Sequence, residues 1–168
     1  MKEIVRENCF ETNSSSNHSI SVRKHPIDKH SIDNPVSEDG YIHCGFGEFG
    51  WGYEKYNDFW TKLAYLLTMV AETENKKFVS EEEYYQTDGF QFINNFCKEK
   101  FKNCKGIIIE YPNIKATPYG WTDFNGYIDH QSYEDYNNVN EFLNEYDIDI
   151  ETFLLNENVD LIIDNDNH

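Results

Sequence analysis

Apolar residues between positions 57 and 73 recur at helical spacing, and this pattern limits the fold more than any other feature of the chain. The run of residues at i, i+3, i+4 and i+7 spacing consists of Trp60, Leu63, Ala64, Leu67, Val70 and Ala71. Asn57 or Asp58 can cap the first turn, because both side chains accept hydrogen bonds from backbone N–H groups. The spacing therefore predicts an amphipathic helix with one buried stripe.

Two further regions have helical signals. Ser80 followed by Glu83 matches a capping box that opens a helical stretch over 81–101, with an interruption at Asp88 and Gly89. Residues 139–146 and 150–155 predict two short helices, and Asp149 is the expected cap of the second.

Short alternating or apolar runs predict strands at 1–8, 18–23, 41–44, 106–111 and 159–163. The run at 106–111 is almost continuously apolar, which is typical of a buried central strand. Asn125-Gly126 is typical of a type I′ turn, so residues 118–131 are expected to form a β-hairpin.

The chain has no internal repeat and no regular alternation of strands and helices. Its 168 residues suit one core. We therefore expect a single α+β domain over 1–168. It would have a small, mostly antiparallel sheet packed by helices near 57–73, 81–101 and 138–155.

Acidic residues outnumber basic ones by 31 to 14, and the formal net charge is −17. Residues 116–168 contain thirteen Asp and Glu with no Lys or Arg, and we call them the acidic C-terminal third. A surface of this sign repels phosphate backbones and anionic lipid headgroups. Direct binding of nucleic acid or of a membrane surface is therefore not expected.

The four cysteines have no C-x-x-C spacing, and the first residues contain no apolar segment typical of a secretory signal. We therefore expect reduced thiols and a cytoplasmic protein. The longest apolar stretch, near residues 63–71, is far shorter than a membrane span.

Residues 45–50 match the pattern G-x-G-x-x-G of dinucleotide-binding folds. In such folds the helix begins within the motif, whereas the helical period here begins near residue 57. Glu48 would also place a carboxylate beside the phosphates. The favoured interpretation is a tight turn in which Phe46, Phe49 and Trp51 fill the core, with no cofactor bound.

Residues 13–19 place serine hydroxyls next to His18, and a nucleophilic site would use a Ser activated by that imidazole. The alternative is more common, because Ser and Asn clusters usually cap turns through their own backbone.

A second catalytic hypothesis concerns strand ends. Asp129 and His130 end the predicted hairpin, and Asp164 and Asp166 follow the last predicted strand. If these side chains meet at one sheet edge, their oxygens suit Mg²⁺ or Mn²⁺, which a hydrolase or nuclease uses to activate water. This alternative also includes His18, if the fold brings it near. Solvated Asp residues at strand ends are the alternative.

The acidic segment 133–151 has the least ordinary composition. Its carboxylates lie among aromatic residues on two predicted helices and are Glu134, Asp135, Glu141, Glu145, Asp147, Asp149 and Glu151. Carboxylates on a rigid frame can imitate a row of phosphates and occupy a basic nucleic-acid channel. An acidic, soluble surface without a partner is the alternative.

Several segments resemble an uncharacterised family of small phage and prophage proteins from low-GC Gram-positive hosts. They are FETNSSSNHS at 10–19, GEFGW at 47–51, KLAYL at 62–66, GYIDHQS at 126–132 and the DNDN ending at 164–167. The resemblance implies a bacterial host cell as the setting. By analogy with acidic anti-CRISPR proteins, it also implies an anti-defence role.

The favoured hypothesis is a phage-encoded inhibitor that binds a basic host protein, such as a CRISPR effector, through the acidic segment. The alternatives are a metal-dependent hydrolase that uses Asp129, His130, Asp164 and Asp166, and a non-catalytic phage structural or assembly protein. An enzyme is the less favoured class.

Overall fold

Helix α1 (Phe59–Thr73) is capped by Asp58, one of the two candidates that the sequence offers, since the Asp58 side chain accepts a hydrogen bond from the Thr61 N–H at 2.9 Å. The structure is a computed structural model that describes residues 18–24, 33–129 and 136–165, and for 18–24, 164 and 165 it describes the backbone alone. The other elements are β1 (His18–Lys24), β2 (Tyr41–Gly45), β3 (Glu48–Phe49), β4 (Glu54–Tyr56), α2 (Glu81–Tyr84), α3 (Asp88–Lys100), β5 (Gly106–Glu110), β6 (Lys115–Ala116), β7 (Thr122–Asp123), β8 (Tyr127–Ile128), α4 (Val139–Glu145), α5 (Ile150–Leu155) and β9 (Val159–Asn165).

Helix α1 is buried on almost every side, which differs from the amphipathic stripe that its spacing predicts. It contacts α3, α4, α5, β2 and β8, so few directions remain open to solvent. Tyr65, Leu66 and Met69 have no exposed surface, whereas Trp60, which the pattern places on the buried stripe, is 46% exposed. Surrounding elements, rather than the period of the helix, decide which of its side chains are buried.

The predicted stretch 81–101 consists of two helices. Ser80 accepts from the Glu83 N–H at 3.3 Å, so the predicted cap of α2 is confirmed. The interruption predicted at Asp88 and Gly89 is wrong, because both residues lie within α3. The break between the two helices lies at 85–87, and Thr87 caps α3. The Gly89 N–H donates to the buried Glu74 carboxylate at 2.9 Å. A Cβ at Gly89 would lie 2.7 Å from Val70, so glycine allows α3 to approach α1 closely.

Among the described residues, the strands form four small sheets instead of one mostly antiparallel sheet. Strand β9 is central in an antiparallel sheet of order β1-β9-β4, and β6 pairs with β7 antiparallel. Strands β2 and β5 pair in parallel, as do β3 and β8. The α+β class is confirmed. Strands 18–23, 41–44 and 159–163 are also confirmed, and the strand predicted at 1–8 lies outside the described residues. The buried strand β5 is not central, because among the described strands it pairs with β2 alone.

The hairpin predicted at 118–131 is wrong. The hairpin is formed by β6 and β7, and its turn is closed by the Thr117 N–H, which donates to the Trp121 carbonyl at 2.9 Å. Strand β8 pairs in parallel with β3 instead. Gly126 has no positive φ, and a Cβ there would lie 2.5 Å from the Cβ of Phe46. Gly126 therefore permits close packing rather than a type I′ turn.

The buried apolar side chains form a cluster that includes residues from β2, α1, α3, β5, α4, α5 and β9. Large rings contribute much of it, and many ring pairs meet edge to face, for example Phe49 with Tyr65 at 5.2 Å between centroids. Helices α4 and α5 close one side of this core, so their backbone is anchored where the acidic residues occur.

Candidate functional site

The two helices of the acidic segment begin with well-formed caps. Asn138 accepts from the Glu141 N–H at 3.0 Å, and the Glu141 carboxylate accepts in return from the Asn137 N–H at 2.9 Å. Asp149 accepts from the Thr152 N–H at 2.6 Å, which confirms the predicted cap of α5. Two of the acidic residues therefore stabilise helix starts as well as carrying charge.

The inner face of α4 is held by aromatic packing. Phe142 has no exposed surface, and its ring lies 5.4–5.6 Å between centroids from the rings of Tyr65, Tyr136, Tyr146 and Phe153. The hydroxyls of Tyr136 and Tyr146 are 3.1 Å apart, a hydrogen-bond distance. These contacts give the outer face a fixed backbone.

Five carboxylates of α4, α5 and the turn between these helices are exposed, and we call this set the acidic face. They are Glu141, Glu145, Asp147, Asp149 and Glu151. Glu141 and Glu145 are four residues apart on α4 and so lie on one side of the helix. Glu134 and Asp135, which the sequence hypothesis also includes, lie outside the described residues.

Charge on the acidic face is partly balanced at one end. Lys100 of α3 donates to the Glu151 carboxylate at 2.5 Å. Hydrogen bonds from the backbone and side chain of Asn137 lower the pKa of Glu141, so this carboxylate stays ionised at neutral pH. Asp147 has a φ of 49°, a left-handed conformation that Asp tolerates better than most residues.

The residues of the metal-dependent hypothesis are divided between sheets. Asp129 follows β8, is 6% exposed, and accepts from the Tyr127 hydroxyl at 3.3 Å. Asp164 lies on β9 opposite Ser19, and His18 lies opposite Asn165 in the same pairing. The register therefore brings His18 and Asp164 to one end of one sheet, whereas Asp129 adjoins the β3–β8 pair.

His130 and Asp166 lie outside the described residues. In the part of the chain that the structure describes, no group of three or more His, Cys, Asp or Glu side chains is arranged to hold a metal ion. The metal hypothesis stays a prediction.

The G-x-G-x-x-G segment contains the short strand β3 and is followed by β4, so no helix begins within the motif. Phe49 is buried and Phe46 is half-buried, as the tight-turn interpretation predicts. Trp51 is the exception, because it is 68% exposed instead of filling the core. It leans on Tyr127 at the surface, with 5.3 Å between ring centroids.

Sequence reasoning missed the burial of Lys62, which has no exposed surface. Its Nζ donates to the carbonyls of Asn156 at 3.0 Å and Val159 at 3.2 Å, which joins α1 to the turn between α5 and β9. The signal was present: Phe59, Lys62 and Leu66 follow i, i+3, i+7 spacing, so the lysine occupies an apolar stripe.

Comparisons of the chain with protein-family models, with curated proteins and with solved structures find no match. The resemblance to a phage family therefore stays a prediction. Across the described ranges, no helix has both the length and the apolar composition that crossing a bilayer requires.

Proposed function

We propose that this chain is a non-enzymatic inhibitor that binds a basic, nucleic-acid-handling protein through the acidic face. The observation that carries the proposal is a set of five exposed carboxylates on α4, on α5 and in the turn between them, where α4 is anchored to the core by buried rings. A fixed frame matters because a charge pattern aligns with a cationic channel only if little conformational entropy is lost on binding.

Net charge supports the same proposal. At −17, the chain attracts cationic surfaces over long range, and this attraction raises association rates at low ionic strength. The resemblance of the sequence segments to phage proteins extends the proposal in two ways. The inhibitor would be encoded by a phage, and its partner would be a host defence protein such as a CRISPR effector.

The test measures DNA binding and cleavage by a panel of purified CRISPR effectors with and without this protein. The acidic-face variant combines Glu141→Gln, Glu145→Gln, Asp147→Asn and Asp149→Asn. These changes keep the caps, because Gln and Asn can replace Glu and Asp in a capping box and at an N-cap. Inhibition by the native protein should fall steeply with added salt, and the variant should inhibit at least tenfold more weakly, about 1.4 kcal/mol of binding free energy.

The control variant removes exposed charges from other helices, with Glu82→Gln on α2 and Glu99→Gln on α3. It should inhibit nearly as well as the native protein. Equal loss in the two variants would mean that overall charge, not the acidic face, is responsible. If the native protein inhibits no effector at low salt, the proposal is wrong.

A further inference from the structure

Two aromatic side chains contact each other beside the β3–β8 pair. Trp51 is 68% exposed, and its ring lies 5.3 Å from that of the half-buried Tyr127, with 34° between the ring planes. We call this pair the aromatic step. Tryptophan is among the residues most enriched at the energetic centres of protein interfaces. A Trp held at the surface by a second ring therefore marks a place where another molecule can dock.

The aromatic step is held in position by hydrogen bonds below it. The Gly50 N–H donates to the Glu54 carboxylate at 3.1 Å, which closes the turn that carries Trp51. The Tyr127 hydroxyl donates to Asp129 at 3.3 Å, and the Asp129 N–H donates to the Phe49 carbonyl at 3.0 Å. Both rings therefore extend from backbone whose position is fixed by hydrogen bonds. Binding at the step would require little ordering of the chain.

One carboxylate lies next to Tyr127 of the aromatic step. Glu48 is exposed and lies opposite Tyr127 in the parallel register, so the two side chains share the outer face of the β3–β8 pair. The neighbouring pair, Phe49 and Ile128, is buried on the opposite face. Within the described ranges, Glu48 forms no ion pair. The surface around Tyr127 therefore combines two aromatic rings with a carboxylate that no described cation pairs with.

The complement of this combination is a guanidinium group. It is planar, stacks on an indole face, and donates hydrogen bonds to a carboxylate, whereas a lysine ammonium is more strongly hydrated and stacks less well. A nucleobase would also stack, but its phosphate backbone would meet a chain of net charge −17. We infer that the aromatic step accepts an arginine side chain of a partner protein, with Trp51 as the stacking surface and Glu48 as its carboxylate partner.

This inference rests on the proposed function only for the basic character of the partner, and it can be tested without that partner. The probe is a glycine-spaced peptide with four arginines, and the comparison peptide has four lysines. The chain has three tryptophans, so the indole N–H signals in an NMR titration can be assigned by substitution. Arginine peptide should shift the Trp51 signal, and lysine peptide should bind more weakly.

Trp121 provides a matched control, because it is 51% exposed and stacks on Tyr119 with 5.2 Å between ring centroids. Trp51→Ala should weaken binding of the arginine peptide about fivefold, the size of an exposed cation–π contact. Trp121→Ala should weaken binding less than Trp51→Ala does, because the carboxylate two residues after Trp121, Asp123, lies opposite Lys115 in the β6–β7 register. Glu48→Gln should also weaken binding, and it retains the tryptophan signal as a direct reporter.

The inference is overturned if Trp51→Ala binds the arginine peptide as tightly as the native protein does, or if the two peptides bind equally.

Combining Glu145→Gln with Asp147→Asn separates the two proposals. Loss of effector inhibition with an unchanged Trp51 shift would place inhibition on the acidic face and leave the arginine site intact. A normal Trp51 shift in a native protein that inhibits no effector would support the arginine site and refute the proposed function.

Discussion

Lys62 allows the burial of α1 to be tested by the pH dependence of stability. The lysine side chain has no exposed surface, and its Nζ donates to two backbone carbonyls. Burial lowers the pKa of Lys62 from 10.5 to about 8, although Asp58, Asp160 and Glu157 act in the opposite direction. The charged form is therefore less stable in the folded protein than in the unfolded chain.

The sign of the effect follows from proton binding. Because the folded pKa lies below the unfolded one, the unfolded chain binds more protons between about pH 8 and 10.5, and stability rises with pH in that window. Across the whole interval between the two pKa values, 10.5 and about 8, the free energy of unfolding should rise by about 3 kcal/mol in total. About 2 kcal/mol of it should appear between about pH 7 and about pH 9.5.

The assay compares the native protein with Lys62→Met by urea unfolding across this range. Methionine has a similar length and does not titrate, so the difference in unfolding free energy between the two proteins isolates Lys62. Buried thiols and tyrosines also affect stability above about pH 9, but they do so in both proteins and cancel in the difference.

At neutral pH two effects of Lys62→Met oppose each other. The substitution removes the cost of burying a charge but leaves two carbonyls without a donor, at about 1–3 kcal/mol each. The expected observation is therefore the change with pH: the native protein should gain about 2 kcal/mol relative to the variant by about pH 9.5. Lys102→Met, at an exposed position, should show no such change. A difference between native protein and Lys62→Met that stays constant with pH would refute the lowered pKa of the buried lysine.

Two further predictions concern the turn before Trp51 and the cysteines. Gly50→Ala should destabilise the protein by about 1–3 kcal/mol in urea unfolding, because Gly50 has a φ of 99° and a Cβ there would lie 2.4 Å from the Asp129 Cβ. Retained stability would mean that this turn is not packed as described. Iodoacetamide should label Cys104 before Cys44 and Cys97 in peptide mass spectra, because the latter two are buried and burial raises their pKa to about 12. Equal labelling rates would contradict their burial.

The starts of three of the described helices could be predicted from the sequence to within one residue. Asp58, Ser80 and Asp149 cap helices where the patterns place them. A cap depends on a side chain and the N–H group three residues later, so the interaction lies wholly within a short segment. The break between α2 and α3 was misplaced, because Gly89 looked like a helix breaker. Its role is to allow contact with Glu74 and Val70, which are distant in sequence.

Strand pairing could not be predicted in the same way. Asn125-Gly126 has the local composition of a hairpin turn, yet β8 pairs with β3, almost eighty residues earlier. The turn preference of Asn125-Gly126 contributes less free energy than the packing of Gly126 on Phe46 and the burial of Ile128. The same difference between local and distant information applies to the candidate site. The acidic residues were evident from composition, whereas the aromatic step depends on a contact between Trp51 and Tyr127 that no spacing reveals.

The sequence by itself determined the α+β class, the caps of α2 and α5 and the sign of the surface charge, because these depend on residues close together in the chain or on composition alone. The tertiary structure decided which strands pair, that Lys62 is enclosed and that Trp51 is exposed. Whether a side chain is buried depends on what packs against it from distant parts of the chain. The free energy of that packing exceeds the preferences of any single residue.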